Sequence, residues 1–136
     1  MAFKLKARNR NCPDEEFTHL AWESMLRITG MGYILNYGDA KESYQYIYKE
    51  GNLGSPVTND GYRATAFEAK AMAMMARGFV FVQQEVNAEW DRLSVDERAL
   101  HLSCTGVFKK EVDSSLLLAL TRFADFAEKS KGFTIR

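Results

Sequence analysis

The stretch TAFEAKAMAMMARGFVFVQQEVNAEWDRL, residues 65–93, decides the fold. Its apolar residues recur at steps of three and four, which is the spacing of one face of an α-helix. The run FVFV at 79–82 would predict a strand on its own, but the longer periodicity favours a helix. Thr65 and Glu68 match the capping box that opens a helix, so we predict a helix from residue 65 to about residue 92. Its predicted inner face consists of Phe67, Ala71, Met74, Met75, Gly78, Phe79, Val82, Val86, Trp90 and Leu93.

Gly78 lies in the middle of this helix, where glycine costs about 1 kcal/mol relative to alanine. A glycine at such a position is typical of a kink or of a close crossing with another helix. We therefore predict one of these two features at Gly78.

Four further helices are predicted around the long one. The first opens at Pro13, a favoured first helical position, and a second runs over roughly 40–50. A third follows Ser94, whose Glu97 completes a capping box, and stops near Gly106. The last is capped by Asp113 or Ser114 and ends at Gly132. The predicted inner face of the first helix is Phe17, Leu20, Ala21, Met25 and Ile28, with His19, Trp22 and Leu26 on a second stripe, and that of the last is Leu116, Leu117, Leu120, Phe123, Ala124 and Ala127.

Both ends of the chain alternate in the manner of strands. In AFKLKAR, residues 2–8, and in FTIR, residues 133–136, every second residue is apolar. This period of two predicts half-buried strands that pair with each other. We therefore predict a mainly α protein: a compact bundle of about five helices with a minor two-stranded β ribbon from the termini, in a single globular domain over residues 1–136.

The charges and cysteines describe an ordinary globular chain. Its 136 residues carry 18 lysines and arginines against 18 aspartates and glutamates, so no global field favours nucleic acid or an anionic membrane. Two distant cysteines favour a reducing compartment over a disulfide framework. The start MAFKLKARNR has no apolar stretch typical of a secretory signal, and the apolar runs are too short to cross a bilayer. We expect a cytoplasmic protein without a membrane partner.

A glycine-rich loop, GNLGSPVTNDGYRAT at residues 51–65, precedes the long helix and raises the question of a phosphate site. A phosphate loop of the Walker type requires G-x-x-x-x-G-K-[ST], whereas no lysine or arginine follows Gly51 before Arg63. The dinucleotide fingerprint G-x-G-x-x-G is also missing. Turn formation accounts for these glycines better than phosphate binding does.

The tyrosines are concentrated in one part of the chain. All six fall within residues 33–62, together with four of the nine glycines. Tyrosine is enriched at interfaces because it combines a large apolar body with a polar tip. We therefore predict that this segment binds a protein partner or a second copy of the chain. The candidate residues are Tyr33, Tyr37, Tyr44, Tyr46, Tyr48, Tyr62, Asp60 and Arg63.

Two alternatives to this protein-binding surface stay open. The same region could form a small-molecule-binding or enzymatic pocket, lined by Tyr44, Tyr48, Tyr62 and Phe67. The other alternative is a polyanion or nucleic-acid site on the N-terminal strand, which Lys131 and Arg136 would join if the termini pair. Lysines on an edge strand also prevent aggregation, so we rank nucleic-acid binding low. The strand's basic residues are Lys4, Lys6, Arg8 and Arg10.

Motifs for catalysis and metal binding are weak. Glu16-x-x-His19 matches half of a di-iron motif, but such bundles need two copies. Cys12, His19, His101 and Cys104 could meet as a zinc site, yet their spacing is not that of a paired knuckle. No nucleophile elbow is present. We assign no catalytic residue, no metal ligand and no cofactor, and the residues favour a non-catalytic protein over an enzyme.

The runs SPVTNDGY, AFEAKAMAMMA and RFADFAEKSKGFTIR together resemble small uncharacterised helical bacterial proteins of the kind carried on mobile gene cassettes or near toxin-immunity loci. In these proteins a polar turn opens a long alanine-rich helix, and an aromatic helix with a short tail ends the chain. The resemblance covers about the last two-thirds of the sequence. It implies a small accessory protein that binds a partner, and it brings no catalytic residues with it.

Overall fold

The computed structural model describes residues 2–35, 37, 56–58, 61–103 and 112–136. This part of the chain is mainly helical, with four α-helices and a small antiparallel sheet, which confirms the mainly α class. The predicted helix at about 40–50 lies outside the described residues. The elements are β1 (Ala2–Ala7), β2 (Glu15–Thr18), α1 (His19–Thr29), a 3-10 helix (Met31–Leu35), β3 (Tyr62–Ala64), α2 (Ala66–Arg92), α3 (Val95–Ser103), α4 (Ser114–Ser130) and β4 (Phe133–Ile135).

The four strands form one antiparallel sheet in the order β2-β1-β4-β3. The predicted pairing of the terminal strands is confirmed. β1 and β4 form the centre of the sheet, and Leu5 lies opposite Ile135. The ribbon is wider than predicted, because β2 adds to the outer edge of β1 and β3 adds to β4. Apolar residues of every strand point to one face of the sheet and are buried, while the other face is polar.

The predicted start of the first helix at Pro13 is wrong. Residues 15–18 instead pair with β1, with Phe17 opposite Phe3. This pairing satisfies backbone groups that a helix would have satisfied, and it buries the Phe17 ring 6.3 Å from the Trp22 ring. The helix begins only at His19, where the Thr18 hydroxyl accepts a hydrogen bond from the Ala21 amide at 3.1 Å.

The buried side of α1 combines residues of both predicted stripes. Trp22 and Leu26 of the second stripe and Met25 of the predicted inner face are fully buried, whereas Leu20 and Ile28 of the inner face are exposed. The reason is the strand before the helix, since it sets the rotation at which α1 meets the core. A sequence pattern with two apolar stripes carries no information on that rotation.

The predicted helix ends are confirmed at three places. Thr65 and Glu68 form both hydrogen bonds of a capping box, and α2 then runs through Gly78 without interruption. Ser94 and Glu97 form the second box, with hydrogen bonds of 3.0 and 3.2 Å. Asp113 caps α4 by accepting a hydrogen bond from the Ser115 amide at 2.9 Å. The predicted inner face of α4 is confirmed as well, since its residues are buried apart from the partly buried Leu116.

The predicted inner face of α2 is wrong. The buried residues of this helix are Ala69, Met72, Ala73, Ala76 and Gln83. They lie against α4, whose core side carries large leucine and phenylalanine side chains, so small residues on α2 allow the two helices to pack closely. As a consequence, large apolar residues of α2 such as Phe67 and Phe81 face away from the core, whereas Met72 is buried in it.

Candidate functional site

The described tyrosines of the predicted binding segment are divided between surface and core. Tyr33 is about half exposed. Tyr62 is fully buried, and its hydroxyl donates a hydrogen bond to the Leu35 carbonyl at 3.0 Å. Tyr37 is buried and donates to Glu23 at 3.3 Å; burial, and then the negative charge of Glu23, raise its pKa. Tyr37 and Tyr62 are therefore core residues rather than parts of an exposed surface. The remaining predicted residues of this group, Tyr44, Tyr46, Tyr48 and Asp60, lie outside the described residues, and Arg63 is exposed on β3.

Helix α1 holds residues on both sides of the segment 38–55. Glu23 accepts the hydrogen bond from Tyr37, and the indole nitrogen of Trp22 donates to the Pro56 carbonyl at 2.8 Å. These contacts are buried or partly buried. Tyr37, just before this segment, and Pro56, just after it, are thus both held by side chains of α1.

The core role of Tyr62 leads to a stability prediction. Removing its hydroxyl by Tyr62→Phe leaves the buried Leu35 carbonyl without this donor, so we expect a loss of about 1–2 kcal/mol in the free energy of unfolding. Chemical denaturation followed by circular dichroism measures this loss. Tyr33→Phe is the matched control at an exposed position and should change stability by less than about 0.5 kcal/mol. Equal effects of the two variants would contradict a core role for the Tyr62 hydroxyl.

The predicted small-molecule pocket receives no support from its described members. Tyr62 is fully buried, whereas Phe67 is largely exposed on α2. A residue packed within the core and one exposed to solvent do not line one enclosed cavity. The other two predicted lining residues, Tyr44 and Tyr48, fall outside the part of the chain that the structure describes.

The most exposed apolar surface lies on α2. We name the residues Phe67, Met74, Phe81 and Val82 the outer stripe; they are 80%, 68%, 70% and 59% exposed. Successive residues of a helix are about 100° apart, which places the outer stripe opposite the buried residues Ala69 and Ala76. The stripe extends over about 22 Å, because its 15 residue steps each rise about 1.5 Å. Sequence reasoning detected this periodicity but assigned it to the core.

The surroundings of the outer stripe are small or charged. Gly78 is exposed in its middle, and a Cβ atom added there would meet nothing within 4 Å. Ala71 lies on the same side of the helix. Lys70 and Glu85 are exposed beside the two ends of the stripe. The helix therefore presents an apolar surface with a gap at its centre and one charge of each sign at its ends.

A second surface lies on the polar face of the sheet. Lys6 and Arg63 flank Thr134 in register across β1, β4 and β3, so these three side chains share that face. Together with Arg8, Arg136 and Thr65 they line a shallow cavity of about 420 Å³. We name this cavity the basic groove. Beyond Arg8 it continues into a more open depression of about 600 Å³ that Arg10, Lys131 and Ala66 also line.

The basic groove differs in part from the predicted basic strand. Lys6 and Arg8 line it, and Arg10 lines its continuation. Lys4 does not line it; its ammonium group lies 3.8 Å from Asp14. Arg63 joins the groove only because β3 pairs beside β4, which no local pattern predicted. Lys131 and Arg136 join it, as expected if the termini pair.

Within the described ranges, no three His, Cys, Asp or Glu residues lie together in the manner of a metal site. His19 packs its ring 5.2 Å from Phe3 and has its Nδ1 3.9 Å from Glu23. Burial raises the pKa of the Cys12 thiol, which disfavours the reactive thiolate. The His101 side chain and Cys104 lie outside the described side chains. None of the helices that the structure describes has the length and apolar character needed to cross a membrane.

Comparison with known proteins adds no family to these observations. No protein-family model matches the chain, and no curated protein and no solved structure matches it either. The two surfaces, the outer stripe and the basic groove, are therefore interpreted from their own geometry.

Proposed function

We propose that this protein is a small intracellular accessory protein that acts by binding rather than by catalysis, and that it forms a homodimer through the outer stripe of α2. The observation that carries the proposal is the orientation of α2. This helix turns Ala69, Ala73 and Ala76, together with Met72, to the core, and it exposes the four large apolar side chains of the outer stripe to solvent. The resemblance of the sequence to small bacterial accessory proteins implies the same kind of role.

The size of the outer stripe supports an interaction surface. With about 200 Å² for a large side chain, its four residues expose on the order of 500 Å². That is near the upper end of what a monomeric protein exposes in one patch, and larger patches mark interfaces. With the flanking residues, the helix approaches the roughly 800 Å² that each partner buries in a stable complex.

Self-complementarity favours a second copy as the occupant. Two α2 helices that pack antiparallel about a two-fold axis level with Ala76 bring Met74 to the level of Gly78 in the second copy. The same arrangement brings Ala71 to the level of the other Phe81. The two central large side chains, Met74 and Phe81, then each lie level with a small residue, which is how packed helices fill space.

The charges at the ends of the stripe fit the same arrangement. In the antiparallel pair, Lys70 comes within about one helical turn of Glu85 in the second copy, and the contact occurs twice by symmetry. A parallel pair would instead place like charges beside each other, which is unfavourable. The antiparallel dimer therefore fits the central residues Met74 and Phe81 and also brings the opposite charges of Lys70 and Glu85 together.

Gly78 has a role in this dimer that the single chain does not supply. A glycine within a helix costs about 1 kcal/mol relative to alanine. Among the residues that the structure describes, no atom outside the helix lies close enough to require it, since an added Cβ would meet none of them within 4 Å. The close crossing that glycine at this position predicts is then the crossing with the second α2.

Introducing a charge into the outer stripe tests the proposal. We expect Met74→Glu to convert the dimer to a monomer, because it places two carboxylates near the two-fold axis in an apolar contact. The measurement is sedimentation equilibrium over a hundredfold range of concentration. Leu20→Glu is the matched control, since Leu20 is 76% exposed on α1 and lies outside the stripe; this variant should dimerise like the wild type.

A second variant separates packing from charge. Gly78→Ala fits the single chain without a clash and should raise helix stability by about 1 kcal/mol, while it weakens the dimer by obstructing the crossing. A Gly78→Ala protein that dimerises more tightly than the wild type would contradict the close crossing. Unchanged association of Met74→Glu would exclude the outer stripe as the interface and favour the tyrosine-rich segment, in which Tyr33 is the described exposed member.

A further inference from the structure

We propose that the basic groove on the polar face of the sheet binds the phosphate groups of an extended polyanion, in a manner independent of base sequence. The groove is separate from the outer stripe, so this inference goes beyond the proposed dimer. Its ligand class is a chain of phosphates, as in a single-stranded nucleic acid or an inorganic polyphosphate.

Three chain segments that are distant in sequence contribute to the groove. Lys6 lies in β1 and Arg8 directly after it, Arg63 lies in β3, and Arg136 follows β4. The register places Lys6 and Arg63 on either side of Thr134, and side chains opposite each other in adjacent strands lie about 5 Å apart. Several cations are therefore concentrated at one place although the chain as a whole has no net charge.

Three of the nearby acidic side chains have other partners, and Glu16 lies opposite Lys4 in β2, on the side of β1 away from the groove. Asp14 lies against Lys4 at 3.8 Å, and Glu15 pairs with Arg122 at 2.9 Å. Glu68 accepts the hydrogen bond from the Thr65 amide at 2.9 Å as part of the capping box. No acidic residue lines the groove or its continuation among the residues that the structure describes. The cations of the groove thus present a local positive potential, which attracts anions.

The backbone of the groove is held in place. The Gly132 carbonyl accepts a hydrogen bond from the Arg8 amide at 2.9 Å, and the Asn9 amide donates to the Ser130 carbonyl at 2.8 Å. An added Cβ at Gly132 would lie 2.8 Å from the Ala64 carbonyl oxygen, so the β4 side and the β3 side are in direct contact there. A fixed cluster of cations avoids part of the ordering cost of binding.

The shape of the groove indicates an extended ligand. Lys6 and Arg8 line the groove and Arg10 lines its continuation, so the cations follow the chain past the end of β1 at Ala7. The groove is open, and its continuation is more open still. Its one aromatic lining residue, Phe133, is buried and offers no face for a base to stack on. The chemistry that remains is contact with phosphates, which carries affinity without base readout.

A binding assay with a defined probe tests this inference. The probe is a fluorescein-labelled thymidine 20-mer, measured by fluorescence anisotropy at 50 to 200 mM salt, with unlabelled polyphosphate as competitor. We expect the double variant Lys6→Gln/Arg8→Gln to weaken binding at 50 mM salt by at least tenfold and to reduce the salt slope by about 1.4, since each phosphate contact in a single strand contributes about 0.7. Polyphosphate should displace the probe.

Arg92→Gln is the control outside the groove: it removes one positive charge, against two in the double variant, at the far end of α2, about 39 Å from Ala66 along the helix axis. It should bind like the wild type. No binding by the wild type at 50 mM salt would overturn the inference, as would a double variant that behaves like Arg92→Gln. Binding that polyphosphate does not displace would also overturn it. Since Lys6 and Arg8 lie outside α2, the sedimentation of the double variant shows whether dimer and groove fail independently.

Discussion

Replacement of Trp22 by alanine should lower the free energy of unfolding by about 3–5 kcal/mol, which is the range for truncating a large buried aromatic residue. Trp22 is fully buried at the centre of the molecule. Its ring centroid lies 5.5 Å from that of Phe123 and 6.5 Å from that of Phe133. The substitution therefore leaves a cavity where sheet, α1 and α4 meet.

Part of the stability lost in Trp22→Ala comes from a hydrogen bond. The indole nitrogen of Trp22 donates to the Pro56 carbonyl at 2.8 Å. Trp22→Phe keeps most of the apolar contact but removes this donor, so it should cost less than Trp22→Ala by at least about 1 kcal/mol. Urea denaturation at constant pH measures both. Leu20→Ala, at an exposed site two residues away, should stay within about 0.5 kcal/mol of the wild type. A cost below 1 kcal/mol for Trp22→Ala would contradict a core centred on this residue.

The second large effect is expected at Gly132. Its φ of +99° is unfavourable for a residue with a side chain, and an added Cβ would approach the Ala64 oxygen to 2.8 Å and the Ala66 nitrogen to 3.1 Å. We expect Gly132→Ala to cost about 2–4 kcal/mol, because backbone strain and the contact act together. Thermal and urea unfolding measure this cost.

Gly61 provides the control for the Gly132 variant. Its φ is +89°, but an added Cβ would meet no atom within 4 Å in the described part of the chain. Gly61→Ala should therefore show only the backbone cost of about 1–2 kcal/mol. The difference in the free energy of unfolding between the two variants therefore measures the effect of the close contact between Gly132 and residues Ala64 and Ala66. If Gly61→Ala were as destabilising as Gly132→Ala, the close approach at Gly132 would be contradicted.

Local signals in the sequence predicted the helix ends well, for a physical reason. A cap depends on residues within four positions of each other, as at Thr65 and Glu68, or at Asp113 and Ser115. The inner face of α4 was equally predictable, because this helix has one apolar side, with buried residues such as Leu120 and Phe123. The pairing of the termini followed from alternation alone.

The predictions were wrong where the local sequence allows two structures equally well and contacts with distant parts of the chain select one of them. Residues 15–18 could continue a helix or pair with β1, and the partner strand selected the second. Helix α2 is apolar on two sides, and the large side chains on α4 selected the alanine side. The basic groove shows the same limit, since Arg63 reaches it only through the position of β3 beside β4.

The most direct test of the proposed function is the sedimentation equilibrium of the wild-type protein together with Met74→Glu, at neutral pH and 150 mM salt. The proposal predicts a wild-type mass of twice 15.5 kDa that dissociates on dilution, and a mass of 15.5 kDa for Met74→Glu at every concentration. A wild-type protein that stays at 15.5 kDa up to the highest concentration would contradict self-association through the outer stripe.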